Sequence, residues 1–336
     1  MQTYFRVKIR EFMKILLFSG LTSSLFLTMP TIGMTEDYPV KPIVLHVPAG
    51  PGGASGATGQ LFAETARKYL PNNQPILTNF RAGASGAVGA DHFLKQPRDG
   101  YNLLLINVDL ISKIAKDGAQ LSFGLQDFVV VGSMATTPAV MAVNKDAPFK
   151  TFKEFIDHAK KNPGKLSYAS AGIGSINHVT GELLQMVCGI QLNHIPFVGG
   201  GPQMMTNLIG GHVDSVQIAY STLKPHVGPG GGARAVSTFS SERWHELPDV
   251  PTSLEDGYNL DRASWFHIVV AKGVPQPIVN ILRRTIKKVT EDTQVKEALI
   301  SIGFAPLNLS PEEVEKKAQI EYDVARDIYK KAGILQ

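Results

Sequence analysis

The chain has 336 residues, 43% hydrophobic and 18% charged, an ordinary globular balance with enough apolar material for two cores. Its net charge is +4, but residues 1–33 hold four Lys/Arg and one Glu, a net of +3, which leaves the remainder near +1. That excludes a basic field of the kind nucleic acid requires, and the single cysteine, Cys188, excludes a disulfide framework within the chain.

Arg6, Lys8, Arg10 and Lys14 flank an apolar stretch from Ile15 to Met29, and Thr31 and Gly33 are small residues spaced for a cut after Gly33. Residues 1–33 therefore read as a cleaved secretory signal peptide, which predicts an exported protein. The apolar run is short and interrupted for a membrane span. No cysteine follows it to carry a lipid anchor.

Past Pro39 and Pro42, Ile43 to Val47 reads as a buried first strand, followed by the glycine-rich loop Pro48 to Gly56 and a helix to about Leu70. Pro71-Asn72-Asn73 stops that helix. Ile76 to Asn79 is the next strand, leading into a second glycine loop, Arg81 to Ala90, and a helix through Phe93 and Leu94. Tyr101 to Ile106 is a strongly apolar strand, residues 110–126 carry little pattern, and Phe128 to Gly132 and Val140 to Asn144 read as two strands. Thr151-Phe152-Lys153-Glu154 is a capping box before a helix that Asn162-Pro163-Gly164 closes.

The strand-like run Leu166 to Ala169 enters Ser170-Ala171-Gly172-Ile173-Gly174-Ser175-Ile176-Asn177-His178, which opens a helix with no acid before Glu182. A helix start exposes about four unpaired N–H donors and a partial positive charge, and glycines let an anion approach them. A tight strand-to-helix turn with Ser175 as N-cap accounts for the same residues. Leu192 to Pro196 is a strand, Gly199-Gly200-Gly201-Pro202 opens a third glycine loop, and Val213 to Ala219, Ala233 to Thr238 and Trp265 to Val270 are further strands. Pro277 starts a long amphipathic helix, and a second capping box at Ser310-Pro311-Glu312-Glu313 starts the last one, with Gly333 as its stop.

Strands alternate with helices throughout, which predicts an α/β chain of mostly parallel sheets flanked by helices, in two lobes joined by strand crossings. Ligands in such sheets sit at the carboxyl ends of the strands. The three glycine loops all follow strands and precede helices, so one cleft would gather them.

Catalytic readings are weaker. Gly53-Ala54-Ser55-Gly56-Ala57 approaches the nucleophile elbow of α/β-hydrolases but lacks the last glycine, and an exported hydrolase using Ser55 is the rival reading. Gly83 to Gly89 lacks the Gly-x-Gly spacing of a dinucleotide loop. No His or Cys spacing suggests a metal, His46 sits inside an apolar strand as a core residue, and Cys188 reads as a small buried apolar residue. No cofactor or metal is expected. Neutral, donor-rich helix starts suit recognition of a small carboxylate by backbone N–H groups and hydroxyls, in a monomer.

The motifs Tyr38-Pro39-Val40-Lys41-Pro42-Ile43, Arg81-Ala82-Gly83-Ala84-Ser85-Gly86, Asp99-Gly100-Tyr101, Asn162 to Tyr168, Ser170 to Ser175 with His178, Gly210-Gly211-His212-Val213-Asp214 and Leu247 to Thr252 together resemble the TctC family. These are the extracytoplasmic solute-binding receptors of tripartite tricarboxylate transporters, the Bug receptors of Bordetella. The resemblance runs from about Tyr38 to Ile334. It implies a two-lobed periplasmic binding protein of type II-like fold that closes on a carboxylated solute and presents it to integral membrane permease subunits. A receptor-like sensor input without a transporter is the alternative within that resemblance.

It also implies a discontinuous first lobe of residues 38–137 and 264–336, a second lobe of 138–263, and crossings near Thr136–Val140 and Arg262–Phe266. The family's ligand loops map onto Gly52, Gly53 and Ser55; Ala84 and Ser85; Ala171, Gly172, Gly174, Ser175 and His178; and Gly199 and Gly200. Three departures are visible. Gly56 stands where an Asp is usual, Phe197-Val198-Gly199-Gly200 where Tyr-Lys-Gly-Gly is common, and Ile218-Ala219 where a polar pair is common. Each predicts a less polar cleft and hence a solute with an apolar or aromatic body.

Overall fold

Ile43–Val47 forms β1, with Ile43, Leu45 and Val47 fully buried. The computed structural model describes residues 38–51, 53–197 and 200–335. The expected signal peptide, Gly52, Val198 and Gly199 lie outside the described residues. β1 pairs in parallel with β2 (Ile76–Phe80) and β3 (Asn102–Asn107). Helices α1 (Ala54–Ala66) and α2 (Ala87–Leu94) make the connections, as the alternating pattern predicts. At the other end, β5 (Ser167–Ser170) pairs in parallel with β6 (Asn193–Pro196) and β7 (Ser215–Ala219).

The centre of the sheet is antiparallel. β4 is one strand of 17 residues, Phe128–Asn144, where the sequence suggested two. Its first part, Phe128–Pro138, pairs with β9 (Ala263–Ala271), which in turn pairs with β3. Its second part, Ala139–Asn144, pairs with β7 and with β8 (Ala233–Phe239). Pro138 sits where the partner changes, opposite Ala263, a place where a missing N–H costs no interior ladder bond. The Ala139 N–H donates to the Arg262 carbonyl at 2.9 Å, and the Arg262 N–H to the Phe239 carbonyl at 2.8 Å. The two halves of the sheet are thus stitched together at the chain crossings.

The first part of the poorly patterned stretch 110–126 belongs to a helix, α3 (Val108–Asp117). β3 runs straight into it, and Asn107 caps it by accepting from the Leu110 N–H at 3.3 Å. Leu110, Ile111, Ile114 and Ala115 form its buried face. At α4 (Phe152–Lys161) Thr151 is the N-cap and accepts from the Glu154 N–H at 3.2 Å, but the Glu154 carboxylate accepts from the Lys150 N–H at 2.6 Å rather than from that of Thr151, so only half of the expected capping box forms. The remaining helices are α5 (Ile176–Cys188), α6 (Gly200–Ile209), α7 (Tyr220–Leu223), α8 (Gln276–Glu291), α9 (Thr293–Ser301) and α10 (Pro311–Lys331). A two-residue strand, β10 (Ala305–Pro306), adds to β4.

Separate cores form on the two halves, one around Phe62, Leu103, Phe266 and Leu282 and another around Phe152, Phe155, Tyr168 and Phe239. The long C-terminal helix α10 belongs to neither of these cores but packs Val314 with Phe128 and Trp265, and Ala325 and Tyr329 with Ala115 and Val179. Its Glu321 pairs with buried Arg262 at 2.6 Å, and its Tyr329 hydroxyl donates to the Gly174 carbonyl at 2.9 Å. Among the described residues no helix is long and apolar enough to cross a membrane.

Candidate functional site

The carboxyl ends of β1, β2, β3, β5 and β7 surround a cavity of about 730 Å³. The first glycine loop contributes Pro48, Ala49, Gly53 and Ser55, and the second Gly83, Ala84, Ser85 and Gly86. Ala171, Ser175, Ile176 and Asn177 come from the start of α5, and Gly200, Gly201 and Pro202 from the start of α6. The three glycine loops and the α5 start thus do gather at one place.

Their backbones are shaped for close approach. Gly53, at φ 88, is the N-cap of α1, and Gly86, at φ 94, is the N-cap of α2; neither helix has a side-chain cap. Ala84 and Ser85 both adopt positive φ, 47 and 53. Such a conformation costs a residue with a Cβ about 1–3 kcal/mol and is retained where the surroundings fix it.

The α5 start has a side-chain cap, whereas at the α2 start the Ala87 and Val88 N–H groups meet the Ala84 and Gly83 carbonyls. Ser175 is its N-cap and accepts from the His178 N–H at 3.3 Å. The Asp109 carboxylate accepts from the Ile176 N–H at 3.3 Å. Two of the first donors of this helix are therefore already met by the protein's own oxygens, as the plain turn reading of this stretch had it.

His178 does not line the cavity. It is buried behind the loop, where its Nδ1 accepts from the Gly174 N–H at 3.4 Å and its ring packs 4.5 Å from that of His194. Burial first, and then the neighbouring His194, push its pKa down to about 4. Gly172 and Gly174 also stand off the cavity wall. Gly52 and Gly199 lie outside the described residues, as does Val198.

Gly56, one of the departures, is a packing glycine. A Cβ there would meet the Pro51 carbonyl oxygen at 2.2 Å, and the residue is not part of the cavity lining. Ile218 and Ala219 do line it. Sequence reasoning missed Asn107, Asp109, Thr222, Ser264 and Phe266 in the wall. The Asn-x-Asp of Asn107 and Asp109 straight after a buried strand was the signal available for the first two, since Asn followed by an early acid marks a helix start.

A line of side chains crosses the cavity floor. Asn107 Nδ2 donates to Ser55 Oγ at 3.2 Å and to Asp109 Oδ2 at 3.0 Å. Ser55 thus has an amide beside it where a hydrolase needs a histidine base. The side-chain Ser–His contact among the described residues is Ser170 Oγ to His194 Nε2 at 2.5 Å, with Ser170 fully buried. No group of three or more His, Cys, Asp or Glu that would hold a metal occurs among the described residues.

A family model described as "TctC: Tripartite tricarboxylate transporter family receptor" matches residues 60–334. Protein BugT of Bordetella pertussis is 30% identical over 313 residues, 90% of either chain. A solved periplasmic transporter is 32% identical with a TM-score of 0.80, covering 88% of this chain and 99% of its own. The periplasmic binding protein BugD, at 27% identity and a TM-score of 0.77, covers the same shares. So does the R. palustris protein Rpa4515, solved with adipate, at 26% identity and a TM-score of 0.79. These names are those of receptors rather than enzymes, and they suit a cleft built of helix starts in a periplasmic-binding-protein fold. The chain belongs to the TctC family of periplasmic solute receptors.

Proposed function

We propose that the cavity takes a small organic carboxylate and that the loaded receptor delivers it to integral membrane permease subunits of a tripartite transporter. The observation that carries this reading is the meeting of α1 and α2 starts, both without side-chain caps, at one cavity with the Ser55 hydroxyl between them. Helix starts of this kind stabilise anions through N–H donors and the helix dipole. The relative solved with adipate supports the ligand class. Gly53, Ser55, Ala84, Ser85, Ala171, Ser175 and Gly200 are the contact residues on this reading.

The two halves of the sheet act as lobes, 38–137 with 264–336 and 138–263, and they pivot about the crossings at Pro138 and Arg262 to close on the solute. The solute has an apolar body, because Ile218, Ala219, Phe266, Pro48 and Pro202 give the wall apolar side chains. Unmatched hydroxyls on a ligand are penalised in such a wall. Citrate binding tighter than simple aliphatic or aromatic monoacids would remove this feature.

The test is a carboxylate panel followed by melting temperature and by recovery of the compound. A ligand at a hundredfold excess over Kd adds about 2.7 kcal/mol, which raises the midpoint by several degrees, and the compound is recovered unchanged. Ser175→Asp keeps the cap on the His178 N–H but adds negative charge to the wall, so affinity for a carboxylate that carries no ammonium drops at least about tenfold. Turnover of an ester or amide that Ser55→Ala abolishes in a folded protein would replace the receptor reading with the hydrolase.

A further inference from the structure

Asp109 is the one charged side chain in the cavity wall among the described residues; no Lys, Arg or His lines it. An anionic solute alone would meet this acid with no cation to offset it. The acid is held firmly in place. Its Oδ1 accepts from the Ile176 N–H at 3.3 Å and its Oδ2 from Asn107 Nδ2 at 3.0 Å. An ionised carboxylate has about four lone-pair sites, so these two bonds leave acceptor capacity on Asp109, which is one of the residues of the wall.

The same amide fixes the polarity of the opposite end. Asn107 Nδ2 also donates to Ser55 Oγ at 3.2 Å, which makes the Ser55 oxygen an acceptor and leaves its own O–H to donate. One side of the floor therefore offers a hydroxyl donor beside an uncapped helix start, and the other a carboxylate acceptor. A single nitrogen bridges the two, so both fall within the span of one small molecule.

We propose that Asp109 is the specificity-determining residue of this cleft and that the solute is a zwitterionic amino carboxylate, its ammonium on Asp109 and its carboxylate toward Ser55 and the α1 start. This rests on the carboxylate reading and adds the second group. A zwitterion brings no net charge, which matches a wall without any cation. Burial pushes the Asp109 carboxyl above its usual range, and an ammonium opposite it favours the charged form. The apolar wall from Ile218, Ala219 and Phe266 then receives the side chain, so apolar amino acids are the preferred members of the class.

The experiment compares matched pairs by calorimetry on the mature protein: leucine with isocaproate, phenylalanine with hydrocinnamate, glutamate with glutarate, together with the amines isopentylamine and phenethylamine. A hydrogen bond between charged groups corresponds to about ten- to hundredfold in affinity. In at least one pair the amino acid is expected to bind at least tenfold tighter than its nitrogen-free partner, with Asp109→Asn bringing that ratio near one. A nitrogen-free acid that binds as tightly as its amino acid, or whose binding takes up a proton and strengthens as pH falls, overturns the proposal while the carboxylate reading stands. Amines that bind where every acid fails overturn the carboxylate reading and leave Asp109 as the contact. No binding from any member of the panel counts against both. The ligand-side comparison uses unaltered protein, so a variant that folds poorly does not affect it.

Discussion

Gly56 shows how a single residue can be misjudged from sequence. In place of a usual Asp it reads as a polar group lost from a cleft, yet the Pro51 carbonyl lies 2.2 Å from where its Cβ would be. Gly56→Ala is therefore expected to destabilise the protein by about 1–3 kcal/mol through backbone displacement, measured as a lower urea midpoint. His178 was legible as a residue of the site loop but not as a buried one, because one sequence position does not say which side of a loop a ring faces. Its ring is held neutral, with its pKa lowered from 6.5 to about 4. Buried His267 is also pushed down, to about 3. In the unfolded chain both rings take up a proton near pH 6.5, so the unfolded state binds more protons as pH falls below that value. The stability these neutral rings permit is present above about pH 6.5 and is lost toward pH 4, by about 3 kcal/mol for His178 alone. Urea unfolding at pH 7 and pH 4.5 should show that drop, and His178→Phe should reduce it.

At the scale of elements, most helices were legible because their ends are chemical. Thr151 and Ser310 cap the Glu154 and Glu313 N–H groups as their spacing predicts, and Gly333 takes the positive φ of a helix stop. The α3 helix was not, since its cap, Asn107, is also the last residue of β3 and leaves no loop to mark the change. The continuity of β4 was equally hidden: Gly132 and Pro138 punctuate the run, but β9 pairing carries the strand through both. What α10 does could not be read from its own pattern, because its partners lie far off in sequence. Its Glu321 meets Arg262 at the crossing, where the side chains are 11% and 4% exposed. Glu321→Ala leaves that guanidinium unpaired and is expected to cost about 3–5 kcal/mol, seen as a melting temperature lower by several degrees. Tyr329→Phe removes the hydroxyl that meets the Gly174 carbonyl and the Ser112 side chain, about 1 kcal/mol for each bond, and is expected to speed amide exchange in the Gly172–Ser175 loop.

For the molecule as a whole, the fold class and the gathering of the glycine loops were legible because strand–loop–helix order fixes on which edge each loop falls. The antiparallel centre was not, since it depends on β9 returning from far along the chain to lie between β3 and β4. The consequence for function is a receptor whose glycine loops meet at one cavity, with two chain crossings among the described residues. Solute binding is expected to compact the protein, read as a smaller radius of gyration in solution scattering at saturating ligand. The most direct single measurement is a ligand-bound crystal structure of the mature protein purified from its native host. The account predicts a small molecule in the cleft with carboxylate oxygens within hydrogen-bond distance of Ser55 and the first N–H groups of α1 or α2. A bound solute without a carboxylate, or one seated away from these helix starts, would contradict it.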